Sequence, residues 1–144
     1  MSENNINIQI RIASISEVSF MMSPSKMPDD VTPESIQLGF SSQIQPDIAD
    51  DRLVLIFGIR YELKGEVILD CIYRFEFDVK SLKQFISINE DGSITVSSIM
   101  PHLISVTAGT MRGILVVKTA GTNFSKFPLP MIDPEQLTAN LSAQ

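Results

Sequence analysis

The sequence has one cysteine and one histidine in 144 residues. The single cysteine, Cys71, excludes an intramolecular disulfide. The single histidine, His102, offers no basis for a metal cluster, a catalytic dyad or a triad. Positive charge is scarce too: 11 Lys and Arg against 17 Asp and Glu leave a net charge of −6. Phosphate backbones are bound by clustered basic residues, and those here are scattered, so no nucleic-acid partner is expected. No apolar run approaches the roughly 20 residues that span a bilayer, so no direct membrane insertion is expected. Met1 to Asn5 is polar, with no basic region ahead of an apolar stretch, which predicts no secretory signal. Together with the lone cysteine this predicts a cytoplasmic protein. The glycines follow no phosphate-loop pattern, and there is no internal repeat. Nothing in these residues points to an enzyme, and no cofactor or metal is expected.

What is present reads outward from a central hairpin, Arg52 to Asp78. The odd positions from Leu53 to Leu63 are apolar, as are the odd positions from Val67 to Phe77. Side chains alternate faces along a strand, so this pattern predicts one dry and one wet face. Lys64-Gly65 between the two legs predicts a tight turn, because such a turn needs a residue tolerant of positive φ. With 44% hydrophobic residues, the chain is long enough for one domain over residues 1–144 with its own core.

Before the hairpin, Ile6, Ile8, Ile10 and Ile12 predict a first strand with one dry face. Ile15 is off that phase, which predicts a bulge between Ala13 and Ser16. Met21 to Pro33 carries three prolines and reads as a loop. Ile36 to Ile44 alternates and predicts a second strand, with a turn over Pro46–Asp51. After the hairpin, Lys80–Ile88 predicts a short helix and Asn89–Gly92 a turn. A longer helix is expected from Ser97 or Ser98, either of them an N-cap, with Pro101 in its first turn. Pro134–Leu141 predicts a last short helix.

Several residues are candidates for contact with a partner. Met21, Met22 and Met27 sit in the predicted loop, where flexible thioether chains make adaptable binding surface or tuck beneath the loop. Val54 and Ile56 lie on the even face of the hairpin, where polar residues belong; a subunit interface or a client would cover them. Cys71 reads as a buried small hydrophobe. The long isoleucine strand, with outward Val54 and Ile56, predicts an oligomer.

Taken in series, these elements resemble the SecB export-chaperone family over about Ile8 to Leu137. Ile10-Arg11-Ile12 followed by Glu17-Val18-Ser19-Phe20 and Pro24 is similar to the family's first strand. Ile36–Phe40 and Ile48–Asp51, leading into the hairpin, are like its strands two to four. Val106–Gly113 resembles the Arg-Gly-containing stretch of its main helix. Phe127–Leu137 resembles its approach to a final short helix. The resemblance implies an α+β fold, a four-stranded antiparallel sheet with helices packed on one face. It implies a homotetramer that holds unfolded or preprotein clients on apolar surface without ATP, in protein export or, in some relatives, beside a toxin–antitoxin pair. It also implies docking to the SecA motor through acidic residues on the outer sheet face, for which Glu17 and Asp70 are the candidates. Met21 stands where the family has an acidic residue, so that site is half kept.

Overall fold

The structure, a computed structural model, describes residues 10–96 and 98–142. Ile6, Ile8 and Ser97 lie outside them. Strands β1 (Ile10–Met22), β2 (Ile36–Asp47), β3 (Arg52–Leu63) and β4 (Glu66–Val79) form one antiparallel sheet in the order β1-β4-β3-β2. This is a Greek-key arrangement: β2, β3 and β4 follow one another by tight turns, and a crossover segment carries β1 to the far edge. Helices α1 (Met100–Lys118) and α2 (Pro134–Ser142) pack on one face, so the architecture expected from the sequence is the one observed.

The hairpin is where the alternation places it. Lys64 and Gly65 both have positive φ, as a two-residue turn matched to strand twist requires. Leu53, Leu55, Phe57 and Ile59 on β3 are buried, and so are Leu69, Cys71, Phe75 and Phe77 on β4. One position departs. Tyr61 pairs with Leu69 but Glu62 pairs with Val67, so Ile68 is an extra residue. Ile68 takes the buried place expected of Val67, and its carbonyl accepts a hydrogen bond from Ser23 N–H at 2.9 Å. The bulge thereby anchors the start of the crossover.

β1 carries the bulge expected near Ala13 and a second one at Val18. Two short strands, β5 (Ile86–Ile88) and β6 (Ile94–Val96), form a separate hairpin around the Asn89–Gly92 turn. The first of them replaces part of the helix expected over Lys80–Ile88, of which only the 3₁₀ turn Leu82–Phe85 exists. Pro46 belongs to β2, and the turn is confined to residues 48–51.

α1 starts later than Ser98 predicts: its N-cap is Ile99, with no side-chain cap, and Pro101 lies in the first turn. By length and composition α1 could cross a membrane, but its buried stripe packs into the core, which marks it as the core helix of this domain. It runs diagonally over the sheet. Met100 and Ile104 in its first turns face Ile44 of β2, and Lys118 at its end meets Glu17 and Phe20 of β1. Thr107 in the buried stripe differs from Thr110 and Thr119, whose hydroxyls donate to the carbonyls four residues back. The Thr107 hydroxyl is fully buried and has no hydrogen-bond partner among the described residues. A buried unpaired hydroxyl costs about 1–3 kcal/mol. Thr107→Val is therefore expected to raise the melting temperature by roughly 2–12 °C, and an unchanged or lower value in a thermal melt would refute the assignment.

Candidate functional site

The sequence between the two helices builds a wall. Phe127-Pro128-Leu129-Pro130 has prolines at alternate positions, which fix their own φ and push the preceding residues towards extended backbone. Two side chains hang this strap on the domain. Tyr61 OH donates to Phe127 O at 2.7 Å. Arg112 of α1 donates through Nε to Leu129 O at 2.8 Å and through Nη2 to Pro130 O at 2.9 Å. Leu129 is buried between these anchors. Burial pushes the Tyr61 phenol up to about 12, so it stays a protonated donor at ordinary pH.

Between the strap and the edge of the sheet lies a groove of about 300 Å³, lined by Pro33, Ile36, Leu38, Tyr61, Lys126, Phe127, Pro128 and Pro130. Among the described residues Lys126 is the only charged side chain that lines it. The crossover segment contributes Pro33 and is itself tied down: Asn123 Nδ2 donates to Met27 O at 2.9 Å and to Asp29 at 2.8 Å. Phe124 packs against Tyr61 with ring centroids 6.4 Å apart. A second cavity, about 420 Å³, lies farther along β2 between Ile44, β6, the first turns of α1 and Leu141 of α2. Both cavities take even-numbered side chains of β2 as one wall.

The candidates read from sequence are dispersed. Met27 is 2% exposed and belongs to the core, so it is no client contact in this conformation. Met22 is half-buried against the core opposite Leu69, while Met21 is exposed opposite Asp70. None of the three lines the groove. Val54 and Ile56 do face outward, but Val54 is only 7% exposed and Ile56 half-buried. They lie beside a ladder of charges, in which Arg52 binds Asp78 at 3.1 Å and Glu76 at 3.2 Å, and Arg11 binds Asp78 at 2.8 Å. Arg52, then Arg11, holds the Asp78 carboxyl below its usual range.

Glu17 and Asp70 were expected on one outer face, and the structure separates them. Asp70 pairs with Arg60 at 3.7 Å on the outer face. Glu17 lies opposite the buried Tyr73, on the face that the helices cover. It accepts a hydrogen bond from Tyr73 OH at 2.9 Å and forms an ion pair with Lys118. Lys118, and after it Tyr73, lowers the Glu17 carboxyl below its ordinary value. The Lys118 ammonium also sits 4.6 Å from the centre of the Phe20 ring, a cation–π contact. The reason for the reversal is the bulge at Ala13, which shifts the strand's phase by one residue, so that odd positions follow on the dry face. Cys71 is buried, as expected, and burial pushes its thiol up to about 11.

Among the described residues no group of three or more His, Cys, Asp or Glu side chains is placed to hold a metal ion. No family model matches the chain, and no curated protein does. Among solved structures, the chain is similar to the SecB-like chaperone Rv1957 of Mycobacterium tuberculosis, solved with a ChAD peptide from the HigA1 antitoxin Rv1956. The TM-score is 0.56 at 12% identity, covering 85% of this chain and 90% of that one. The fold is SecB-like. In that SecB-like frame the groove is the concave surface between the β2 edge and the strap. Its residues come from three distant segments, and the sequence signal for it was the pair of alternate prolines.

Proposed function

We propose that this protein is an ATP-independent, non-enzymatic holdase of the cytoplasm, which takes up extended apolar segments of unfolded or preprotein chains in the groove beside Leu38 and Phe127. The observation that carries this reading is the groove: an apolar cleft about 300 Å³ in volume, whose strap is held by Tyr61 and Arg112 through the Phe127, Leu129 and Pro130 carbonyls. Such a cleft needs no energy source, because burial of client side chains contributes about 25 cal/mol per Å². The similar mycobacterial chaperone was solved with a peptide bound, which supports a peptide as the occupant here. The test is light scattering from a chemically unfolded protein diluted into buffer, with and without this chain and without ATP. The intact chain is expected to suppress aggregation, at high salt as well as low. Leu38→Glu is expected to weaken that activity at least about ten-fold, since a charge in the cleft opposes apolar contact. Full activity in the variant would move the client off this groove. A methionine series cannot serve the same purpose, because Met27→Ser would damage the core.

A second reading is a module dedicated to one partner. It is favoured by the opposite facing of Glu17 and Asp70, which leaves these two unable to form one acidic patch for SecA. Recovery of a single stoichiometric partner from cells, with no activity on general clients, would select it.

We also propose a homo-oligomer, a tetramer by the SecB resemblance. Ile12, Ile15 and Val18 are exposed on the edge strand β1, and Val116 and Val117 on α1. Val54 no longer supports the idea, since the protomer itself buries it. Light scattering at micromolar concentration is expected to show an assembly; a lone 16.0 kDa species would contradict it.

A further inference from the structure

The fold fixes where the groove's cation stands. Lys126 ends the 3₁₀ turn Asn123–Lys126. Phe124 in that turn is buried against Tyr61, and Asn123 is tied to Met27 O and to Asp29. The next residue, Phe127, gives its carbonyl to Tyr61 OH and its N–H to Phe124 O at 2.9 Å. Backbone on both sides of Lys126 is therefore anchored, and the lysine stem lines the groove. The protomer leaves its ammonium unused. Lys26 pairs with Glu66 and Lys118 with Glu17, but among the described residues Lys126 forms no ion pair and no side-chain hydrogen bond.

A lysine in such a place does two things. Its methylene stem adds apolar wall, while its ammonium stays in water at the rim. Inside the cleft a client's charge would lose its hydration and gain no partner, so apolar side chains are the ones that enter. Just outside it, the sign of a charge decides. The chain as a whole carries −6 and favours basic segments at long range. That field is screened over about 8 Å at physiological salt, whereas a group at the rim meets the Lys126 ammonium directly. At contact distance the local cation outweighs the net charge, and the preference of the groove is opposite to that of the chain.

We infer that Lys126 makes this groove selective for segments in which a carboxylate flanks the bound apolar side chains. This rests on the peptide-binding reading and adds to it which peptides are preferred. A lysine stem spans about two residues of extended chain, so the carboxylate belongs within about two residues of the last side chain in the cleft. An aspartate or glutamate supplies it, and so does the terminal carboxylate of a chain that ends there. The pair is exposed, so it adjusts the choice among apolar segments and does not replace apolar contact as the source of affinity.

The experiment titrates labelled peptides against the intact chain by fluorescence anisotropy. Three end-blocked peptides share one apolar segment, flanked on both sides by Asn, by Asp or by Lys. A fourth has an Asn flank at its start and a free carboxylate directly after the segment. At low salt the wild type is expected to bind the Asp peptide about five-fold more tightly than the Lys peptide. Near 1 M salt, where screening acts within about 3 Å, the ratio should fall below about two-fold. Lys126→Glu is expected to invert the order. Lys80→Glu changes the net charge equally, but Lys80 follows β4 at the end of the sheet away from Tyr61, so the wild-type order should remain. A gain by the Asp peptide assigns the carboxylate to a side chain, and a gain by the fourth peptide assigns it to a chain end; either upholds the inference. If wild type and K126E rank the peptides alike, or if K80E shifts the order as far as K126E does, the inference is overturned while the groove reading stands. If none of the peptides binds, both fall.

Discussion

Leu69→Asp and Phe75→Asp are each expected to yield a chain that does not fold. Both positions are fully buried on the helix-facing side of β4, the strand that joins β1 to β3. Removing a buried phenylalanine costs about 3–5 kcal/mol by itself. The new carboxyl must then sit charged without a partner or stay protonated against its solution preference. Keeping it protonated at neutral pH, about three pH units above where it ordinarily ionises, costs about 4 kcal/mol more. Together these approach the whole stability of an ordinary domain, about 5–15 kcal/mol. Circular dichroism and a thermal melt at neutral pH read the result. Ser16→Asp is the control. Ser16 lies opposite Arg74 on the outer face, so an aspartate there should change stability by no more than about 0.5 kcal/mol. A wild-type melt for either buried substitution would mean that β4 is out of phase by one residue.

Arg112→Ala should have the second-largest effect, and it should reach function as well as stability. Arg112 donates to two successive carbonyls, Leu129 O and Pro130 O, from one planar group. Bonds from a charged donor contribute about 1.5–3 kcal/mol each, less where water can replace them. A loss of about 2–4 kcal/mol is therefore expected, together with weaker suppression of client aggregation, since the strap is one wall of the groove. Arg112→Lys should recover less than half of either loss, because a lysine is a point donor and cannot span both carbonyls. If Arg112→Ala melts and acts like wild type, burial of Leu129 alone holds the strap.

The hairpin was legible because its period-two pattern runs almost unbroken from Leu53 to Phe77. It failed at Val67-Ile68-Leu69, where three apolar residues in a row fit either phase and only the register of β3 chooses Ile68. β5 and β6 are three residues each, too short for any period to show. The same limit misplaced Glu17: one bulge was expected, but its effect on every following side chain depends on which residue is extra. Met21, Met22 and Met27 look alike in sequence, but Met21 and Met22 end β1 instead of opening the expected loop, and only Met27 lies in the crossover, where it is buried and its carbonyl accepts from Asn123. The groove was illegible for a related reason. Leu38, Tyr61 and Phe127 are ordinary apolar residues until tertiary contact brings them together, and the alternate prolines of the strap predict extended backbone without saying what it packs against.

The path of the chain has a kinetic consequence. β2, β3 and β4 can pair through turns of a few residues, whereas β1 must find β4 across a loop that contains the whole of β2 and β3, from Met22 to Leu69 at its shortest. Closing a loop costs chain entropy that grows with its length, and that cost must be met before the first bond of the pair forms. The ion pair of Glu17 with Lys118 then ties β1 to the end of α1, a helix that lies beyond β4 in the chain. β1 is thus the earliest-made strand of this sheet and pairs only with the latest-made, so it must stay unpaired until β4 has been synthesised.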